Sequence, residues 1–187
     1  MTAYTIRKLR ITDIYALNKM YDSLFEENKR FFHPGFLGFE SINLNWLLVQ
    51  LALAASSFAI SKKLLLRIYP FAAFLVIVST DKSGKIIGFA FVKRKSRSVA
   101  ESFLGELGIC VRDGYQKKCV GCELMARLLE LAKKEYFQRI YLTVLTRNLR
   151  AVHIFEKYGF RKTRIMPYGD VWRGKRFDSV EMCLDLY

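Results

Sequence analysis

Acidic residues are scarce in this chain. Seventeen Asp plus Glu stand against 31 Lys plus Arg, leaving a formal charge of +14 and a pI near 9.8. That excess points to an anionic partner, without choosing among nucleic acid, a membrane surface and a small phosphorylated ligand. Four cysteines in 187 residues are too few for a disulfide scaffold. The only two histidines, His33 and His153, have neither triad nor metal-ligand spacing, so no metal site is expected. Three prolines and no low-complexity tract leave no room for a Pro-rich linker or an internal repeat. What is present is core material: 52% hydrophobic and 14% aromatic residues exclude disorder. At this length one domain spanning 1–187 is expected. No apolar run or small-residue cleavage site follows the three basic residues of Met1–Arg10, so the expectation is a reduced, cytoplasmic, basic domain.

One long uncharged stretch, Ser41–Ser61, approaches the ~20 residues that cross a bilayer. Asn43, Asn45, Gln50 and its serines dilute it, and Leu44, Leu47, Leu48, Leu51 and Ala55 recur at helical spacing. We read it as a helix buried within the protein or against a second copy, since an apolar face left in water would aggregate.

The rest of the chain reads as alternating strands and helices. Tyr4–Leu9 is a strand, and Thr12 or Asp13 caps a helix with apolar positions Ile14, Leu17, Met20, Tyr21, Leu24 and Phe25. Phe31–Phe39 is a loop, and Phe74–Ser79 and Lys85–Lys93 pair across an Asp81–Gly84 turn. Phe103–Val111 is the fourth strand. Val120, Leu124, Leu128 and Leu131 then mark one face of a helix ending near Tyr136. Arg139–Leu145 is a strand, Leu149–Tyr158 a helix stopped by Gly159, and Phe160–Tyr168 and Phe177–Leu186 close the chain as strands. The order βα-α-ββ-βα-βα-ββ predicts an α/β fold, a mixed sheet with helices on both faces. The strand–loop–helix at 103–136 is its natural ligand site.

That segment runs Ile109-Cys110-Val111, a glycine-bearing turn, then Gln116-Lys117-Lys118-Cys119-Val120-Gly121-Cys122 into a helix. A helix start offers unpaired N–H groups and a positive dipole end, which suit a pyrophosphate, and Lys117 and Lys118 add charge. Gln116 and Gly121 match the pyrophosphate loop Gln/Arg-x-x-Gly-x-Gly/Ala of the GNAT superfamily of acyl-CoA-dependent N-acetyltransferases. The chain resembles that superfamily elsewhere in the same order: Ile6–Asp13, Lys85–Ala90, Asn148–Phe160 with Asn148 and Ala151, and the hairpin Trp172–Met182. The resemblance covers nearly everything except about 31–73. It implies a splayed single-domain sheet, acetyl-CoA as co-substrate, and an arm of that ligand along Ile109–Val111. It also implies an acetyl group passed directly to an amine of a small molecule, a protein N-terminus or a lysine. GNAT relatives are often dimers, so a homodimer is also expected.

The departures carry as much information. Cys119 stands where the loop usually has its first glycine, which would still work if Cys119 were right-handed and donated its N–H. Phe155 replaces the tyrosine that many members use as general acid. Thr143 replaces a glutamate of the protein-N-terminal branch. Glu106 on the fourth strand remains as the candidate base or water-holder, because an attacking amine must lose a proton. Tyr115, Tyr141 and Tyr168 are candidate acids, and Tyr158, adjacent to Gly159, is not the family's acid. Covalent transfer through Cys110 is a lesser alternative. A CoA-binding or sensory protein with little catalysis is the second reading, motivated by Phe155, Thr143 and Cys119.

Cys119-Val-Gly-Cys122 places two thiols at a helix start, a position that favours thiolates. Zinc would need a second such pair and a thioredoxin-like site a different strand order, so both cysteines are expected as small buried residues lining the loop. Lys93-Arg94-Lys95-Ser96-Arg97 is the densest basic run and reads as a solvated hairpin loop. No nucleic-acid motif accompanies it, so neither nucleic acid nor membrane is an expected partner.

Overall fold

The computed structural model describes residues 4–29, 75–95 and 103–187. The Ser41–Ser61 helix, the Phe31–Phe39 loop and His33 lie outside these residues. Strand β1 (Tyr4–Lys8) leads through a single 3-10 turn, Ile11–Asp13, into helix α1 (Ile14–Asp22), and α2 (Glu26–Lys29) follows. Asp13 is not the side-chain cap expected of it. Its nearly buried carboxylate instead accepts from the Arg7 guanidinium at 2.6 and 2.9 Å and from the Arg10 N–H at 2.7 Å. This ties the start of α1 back to β1 and holds the Asp13 carboxyl below the usual range, chiefly through Arg7.

Strands β2 (Leu75–Asp81) and β3 (Ile86–Arg94) form the expected hairpin. Asp81 accepts from the Ser83 and Lys85 N–H groups at 2.9 and 3.1 Å, and Gly84 supplies the positive φ that the tight turn requires. Next come β4 (Leu104–Val111), α3 (Val120–Lys134), β5 (Arg139–Leu145), α4 (Leu149–Lys157), β6 (Arg161–Trp172) and β7 (Lys175–Asp185). The sheet order is β1-β2-β3-β4-β5-β7-β6, antiparallel except between β4 and β5. The α/β expectation therefore holds. The last two strands are longer than expected because a twelve-residue β6 and an eleven-residue β7 carry the hairpin out to Trp172 and Lys175.

Period-two alternation divides the core between the two faces. Ile77, Ala90, Leu107 and Leu142 pack with Leu124, Leu128, Val152 and Phe155 of α3 and α4. Val78, Phe89, Phe91 and Cys110 meet Leu17, Met20 and Leu24 on the opposite face. Gly108 is a close approach: a Cβ there would stand 2.3 Å from the Phe91 ring.

The feature that positions the site is the parallel junction. Strands β4 and β5 pair only over Leu104–Glu106 with Arg139–Tyr141. From Leu107 onward the two strands have no ladder between them, so the sheet splays open there.

The basic run corrects the sequence expectation. Lys93 and Arg94 lie in β3, not in a solvated loop. Lys93 pairs with Glu106 across the ladder at 3.1 Å, and Arg94 lies over Phe137 with its centre 5.3 Å from the ring. Lys95 bonds Glu181 at 2.8 Å and covers the Tyr141 ring at 3.5 Å. Lys93 and Lys95 are therefore paired with acids within the fold, and Ser96 and Arg97 lie outside the described residues.

Candidate ligand cavity in the splayed sheet

A cavity of about 370 Å³ occupies the splay. Ile109, Cys110 and Val111 of β4 form one wall. Gln116, Lys117, Cys119, Gly121, Cys122 and Met125 come from the loop and α3, and Asn148, Arg150, Ala151, Ile154 and Phe155 from α4. Leu24 and Asn28 close it from the α1–α2 side.

The loop before α3 holds two left-handed non-glycine residues. Lys117 and Cys119 take φ of 64° and 61° on either side of Lys118. Left-handed residues alternating with right-handed ones can turn successive N–H groups toward one concavity, the geometry of an anion-binding nest. Cys119 is the N-cap of α3 and makes no side-chain capping bond. Val120, Gly121 and Cys122 form the first turn, whose N–H groups have no intrahelical acceptor. The expectation of a buried Cys119 fails here, and the right-handed condition for its N–H is not met. It is left-handed rather than right-handed, and it is exposed, while Cys122 is half-buried. Both do line the cavity.

Gln116 braces the loop from below. Its carboxamide donates to the Val111 carbonyl at 3.3 Å and to Asp113 at 3.2 Å. Asp113 in turn accepts from the Phe25 N–H at 2.5 Å and from the Asn28 carboxamide, stapling α2 to the loop. The sequence reading missed this staple, along with Leu24, Asn28, Met125, Arg150 and Ile154. Arg150 and Ile154 sit inside the quoted Asn148–Phe160 segment, so their neighbours could have flagged them. Nothing local in the sequence links residues 24–28 to 113.

Helix α4 is fixed at both ends. Asn148 caps it by accepting from the Ala151 N–H at 3.2 Å. At the other end the Gly159 N–H bonds the Glu156 carbonyl and the Phe160 N–H the Phe155 carbonyl, with Gly159 at φ 89°. This is a Schellman cap, and its hydrophobic contact is the edge-on pair Phe155–Phe160 at 5.8 Å. The cap therefore sets the Phe155 ring in the cavity wall. Tyr158 points elsewhere, donating to the Cys122 carbonyl at 2.7 Å and tying α4 to the first turn of α3.

Several sequence candidates fall away from the cavity. Glu106 does not line it. Its carboxylate is held by Lys93, and on its face of β4 the Gly108 position, filled by the Phe91 ring, separates it from Cys110. Glu106 to Cys110 spans four residues, ~13 Å along a strand, so of its two expected roles the water-holder's is the one that this separation suits. Val120 is buried in the core, so only its backbone is available to a ligand. Lys118 extends over the Tyr115 ring, 5.4 Å from its centre. Among the candidate acids, Tyr115 donates to Asp81 at 3.1 Å, which holds its hydroxyl protonated more firmly. Tyr141 lies under Lys95, and Tyr168 is exposed. Burial pushes the Cys110 thiol well up, which argues against a nucleophilic thiolate there. Among the described residues, no cluster of His, Cys, Asp and Glu suits a metal ion, and no helix is long and apolar enough to cross a membrane.

A model of the acetyltransferase (GNAT) family matches residues 45–160. An N-alpha-acetyltransferase of Saccharolobus solfataricus is 27% identical over a 107-residue alignment that covers 54% of this chain and 63% of the relative. The match therefore spans less than two thirds of that protein's length. Among solved structures, an acetyltransferase from Salmonella typhimurium, described with its cofactor acetyl-CoA, superposes with a TM-score of 0.74 at 19% identity. That alignment covers 100% of this chain and 95% of the other. A phosphinothricin acetyltransferase from Sinorhizobium meliloti in complex with acetyl-CoA gives 0.71 at 16% identity, covering 98% and 89%.

Proposed function

The chain belongs to the GNAT acetyltransferase family, and from that premise we propose that it is an N-acetyltransferase using acetyl-CoA as co-substrate and an amine as acceptor. The observation that carries the proposal is the junction of an unladdered β4 edge with an uncapped, left-handed nest at the start of α3. An arm with amides can add its hydrogen bonds to the first, and a pyrophosphate fits the second.

Bound acetyl-CoA supplies a thioester whose acetyl group an amine nitrogen can attack. In the proposal Lys117 and Arg150 hold the anionic end at the rim, together with the N–H groups of Val120, Gly121 and Cys122. Ile109, Ile154 and Phe155 exclude water along the arm. The free β4 edge orients the thioester, so positioning supplies most of the rate. Leu24 and Asn28 form the wall nearest the acceptor, and the Asp113 staple keeps that wall in register with the loop. Among the described residues the lining has no carboxylate and no tyrosine. In this scheme the amine's proton leaves to water, and Glu106 takes no direct part.

The test is thermal stabilisation by acetyl-CoA together with thiol release over a panel of small amines and N-terminal peptides. A ligand-dependent rise in Tm with amine-dependent thiol release supports the proposal. A rise without release favours the sensory reading, for which Phe155 and Thr143, neither a proton-transfer residue, are the observation. No rise at all overturns both.

A further inference from the structure

We propose that Cys119 and Cys122 are a redox-active dithiol built into the wall of the ligand cavity, and that its oxidation to an intramolecular disulfide weakens ligand binding there. Three observations converge on the pair. Both residues line the cavity. They occupy the N-cap and third positions of one helical turn, closed by the Glu123 N–H bonding the Cys119 carbonyl at 3.0 Å. Only Val120 and Gly121 separate the two thiols in that turn, and a disulfide needs their Cβ atoms ~3.5–4.5 Å apart. The other two cysteines are buried, Cys110 on β4 and Cys183 on β7.

The two ends of the pair are not equally fixed. The Tyr158 hydroxyl holds the Cys122 carbonyl at 2.7 Å. Cys119 is exposed, strained at φ 61° and makes no capping bond. Any movement that brings the two sulfurs together therefore falls to rotation about the Cys119 backbone. That rotation turns the N–H groups on either side of Cys119 out of the nest and displaces Lys117, which lines the same cavity.

The chemistry balances with a small-molecule disulfide as oxidant. The exposed Cys119 thiolate attacks one sulfur of oxidised glutathione, forming a mixed disulfide and releasing one glutathione thiol. The Cys122 thiolate then displaces the second. Two electrons and two protons pass from the protein to the glutathione pair, and the chain loses two hydrogens. Linkage makes the effect reciprocal: a ligand that prefers the dithiol opposes oxidation by the factor that oxidation takes from its affinity. With ligand at ~100 Kd that protection reaches about a hundredfold if the disulfide form does not bind.

The coupling to acetyl-CoA rests on the proposed function, whereas disulfide formation does not, and the experiment separates them. The full-length protein is equilibrated across ratios of oxidised to reduced glutathione and read by intact mass, peptide mapping and the acetyl-CoA-dependent change in Tm. Expected are the loss of two hydrogens mapped to 119–122, a fall in the acetyl-CoA response that parallels it, and reversal by reduced glutathione. Acetyl-CoA should move the midpoint toward the more oxidising ratio. Cys122→Ser should give a stable glutathione adduct on Cys119 in place of the disulfide. No 119–122 disulfide at any ratio overturns the dithiol. A disulfide that leaves the acetyl-CoA response unchanged overturns the coupling. A reduced protein without any acetyl-CoA response overturns the function while the mass still decides the dithiol.

Discussion

Gly121→Glu is the substitution that most directly challenges the nest. Gly121 lies in the first turn of α3 and lines the cavity, and a Cβ there would meet only the Val111 side chain, at 3.4 Å. The backbone therefore accepts a side chain at ordinary van der Waals distance, and the fold should survive. The side chain emerges beside Val111, itself part of the wall, so a glutamate carries its charge to where an anion would be seated. A pair of like charges 4 Å apart costs about 4 kcal/mol at the effective dielectric of a protein surface. That is roughly a thousandfold in Kd.

The assay is thermal unfolding with and without acetyl-CoA. Ligand at 100 Kd stabilises by about 2.7 kcal/mol, which in a chain of this size raises Tm by roughly 5–11 °C. A thousandfold weaker variant at the same concentration sits at ~0.1 Kd and gains under ~0.1 kcal/mol, so its shift vanishes. Gly121→Gln has the same bulk without the charge and should keep part of the shift, which separates electrostatics from crowding. A Gly121→Glu protein that folds and keeps the full wild-type shift refutes the placement of an anion at the start of α3.

Other outcomes follow from the same geometry. Asp13→Asn breaks a largely buried, two-pronged pair with Arg7 and should destabilise by roughly 2–4 kcal/mol, read by denaturant unfolding. Because the folded Asp13 carboxyl is held low, its contribution is complete above the unfolded carboxylate pKa. It fades as pH falls through the folded one, so wild type and Asp13→Asn should converge in acid. Glu106→Gln removes a half-exposed cross-strand pair with Lys93, should cost under ~1 kcal/mol, and should leave the pH–rate profile unchanged; a lost limb would restore Glu106 as base. Cys119→Gly relieves a left-handed side-chain residue and should change stability by no more than ~1 kcal/mol while retaining acetyl-CoA binding. Loss of that binding would show that the cysteine side chain, not the backbone nest, holds the ligand.

Local pattern was enough for most of the fold. The periodicity of Val120, Leu124 and Leu128, the Asp81–Gly84 turn and the Gly159 stop each depend on neighbours within a few residues, and the structure keeps all three. What the sequence concealed is long-range. Asp113 bonds residues 85 and 88 positions away in the chain, and Lys95 finds Glu181 at a separation of 86. Neither pairing leaves a local signature, so the basic run looked solvated and the α2 wall went unseen. Asp13 failed for a related reason. A carboxylate before a helix reads as a cap until a guanidinium on the preceding strand, six residues upstream, claims it.

Phe155 brings these two kinds of information together. Its place in the sequence marks the missing hydroxyl, and the Schellman cap at Gly159 shows that its ring is set firmly in the cavity wall, 8% exposed. A tyrosine there would share the same backbone and the same edge contact with Phe160, leaving its hydroxyl as the one new group. Loss of a positioned acid costs ~10²–10⁴-fold where proton transfer limits the rate. A departing thiol of pKa ~8.5 needs less help than that near neutral pH. Phe155→Tyr should therefore raise turnover by about tenfold or less, with the gain largest below pH ~8, where free thiolate is least favoured. The comparison is kcat of the two proteins between pH 6 and 9 on any amine that turns over. A gain that is independent of pH would mean that the hydroxyl acts by packing or polarity. No gain, with the cap and Tm intact, would mean that leaving-group protonation does not limit this site.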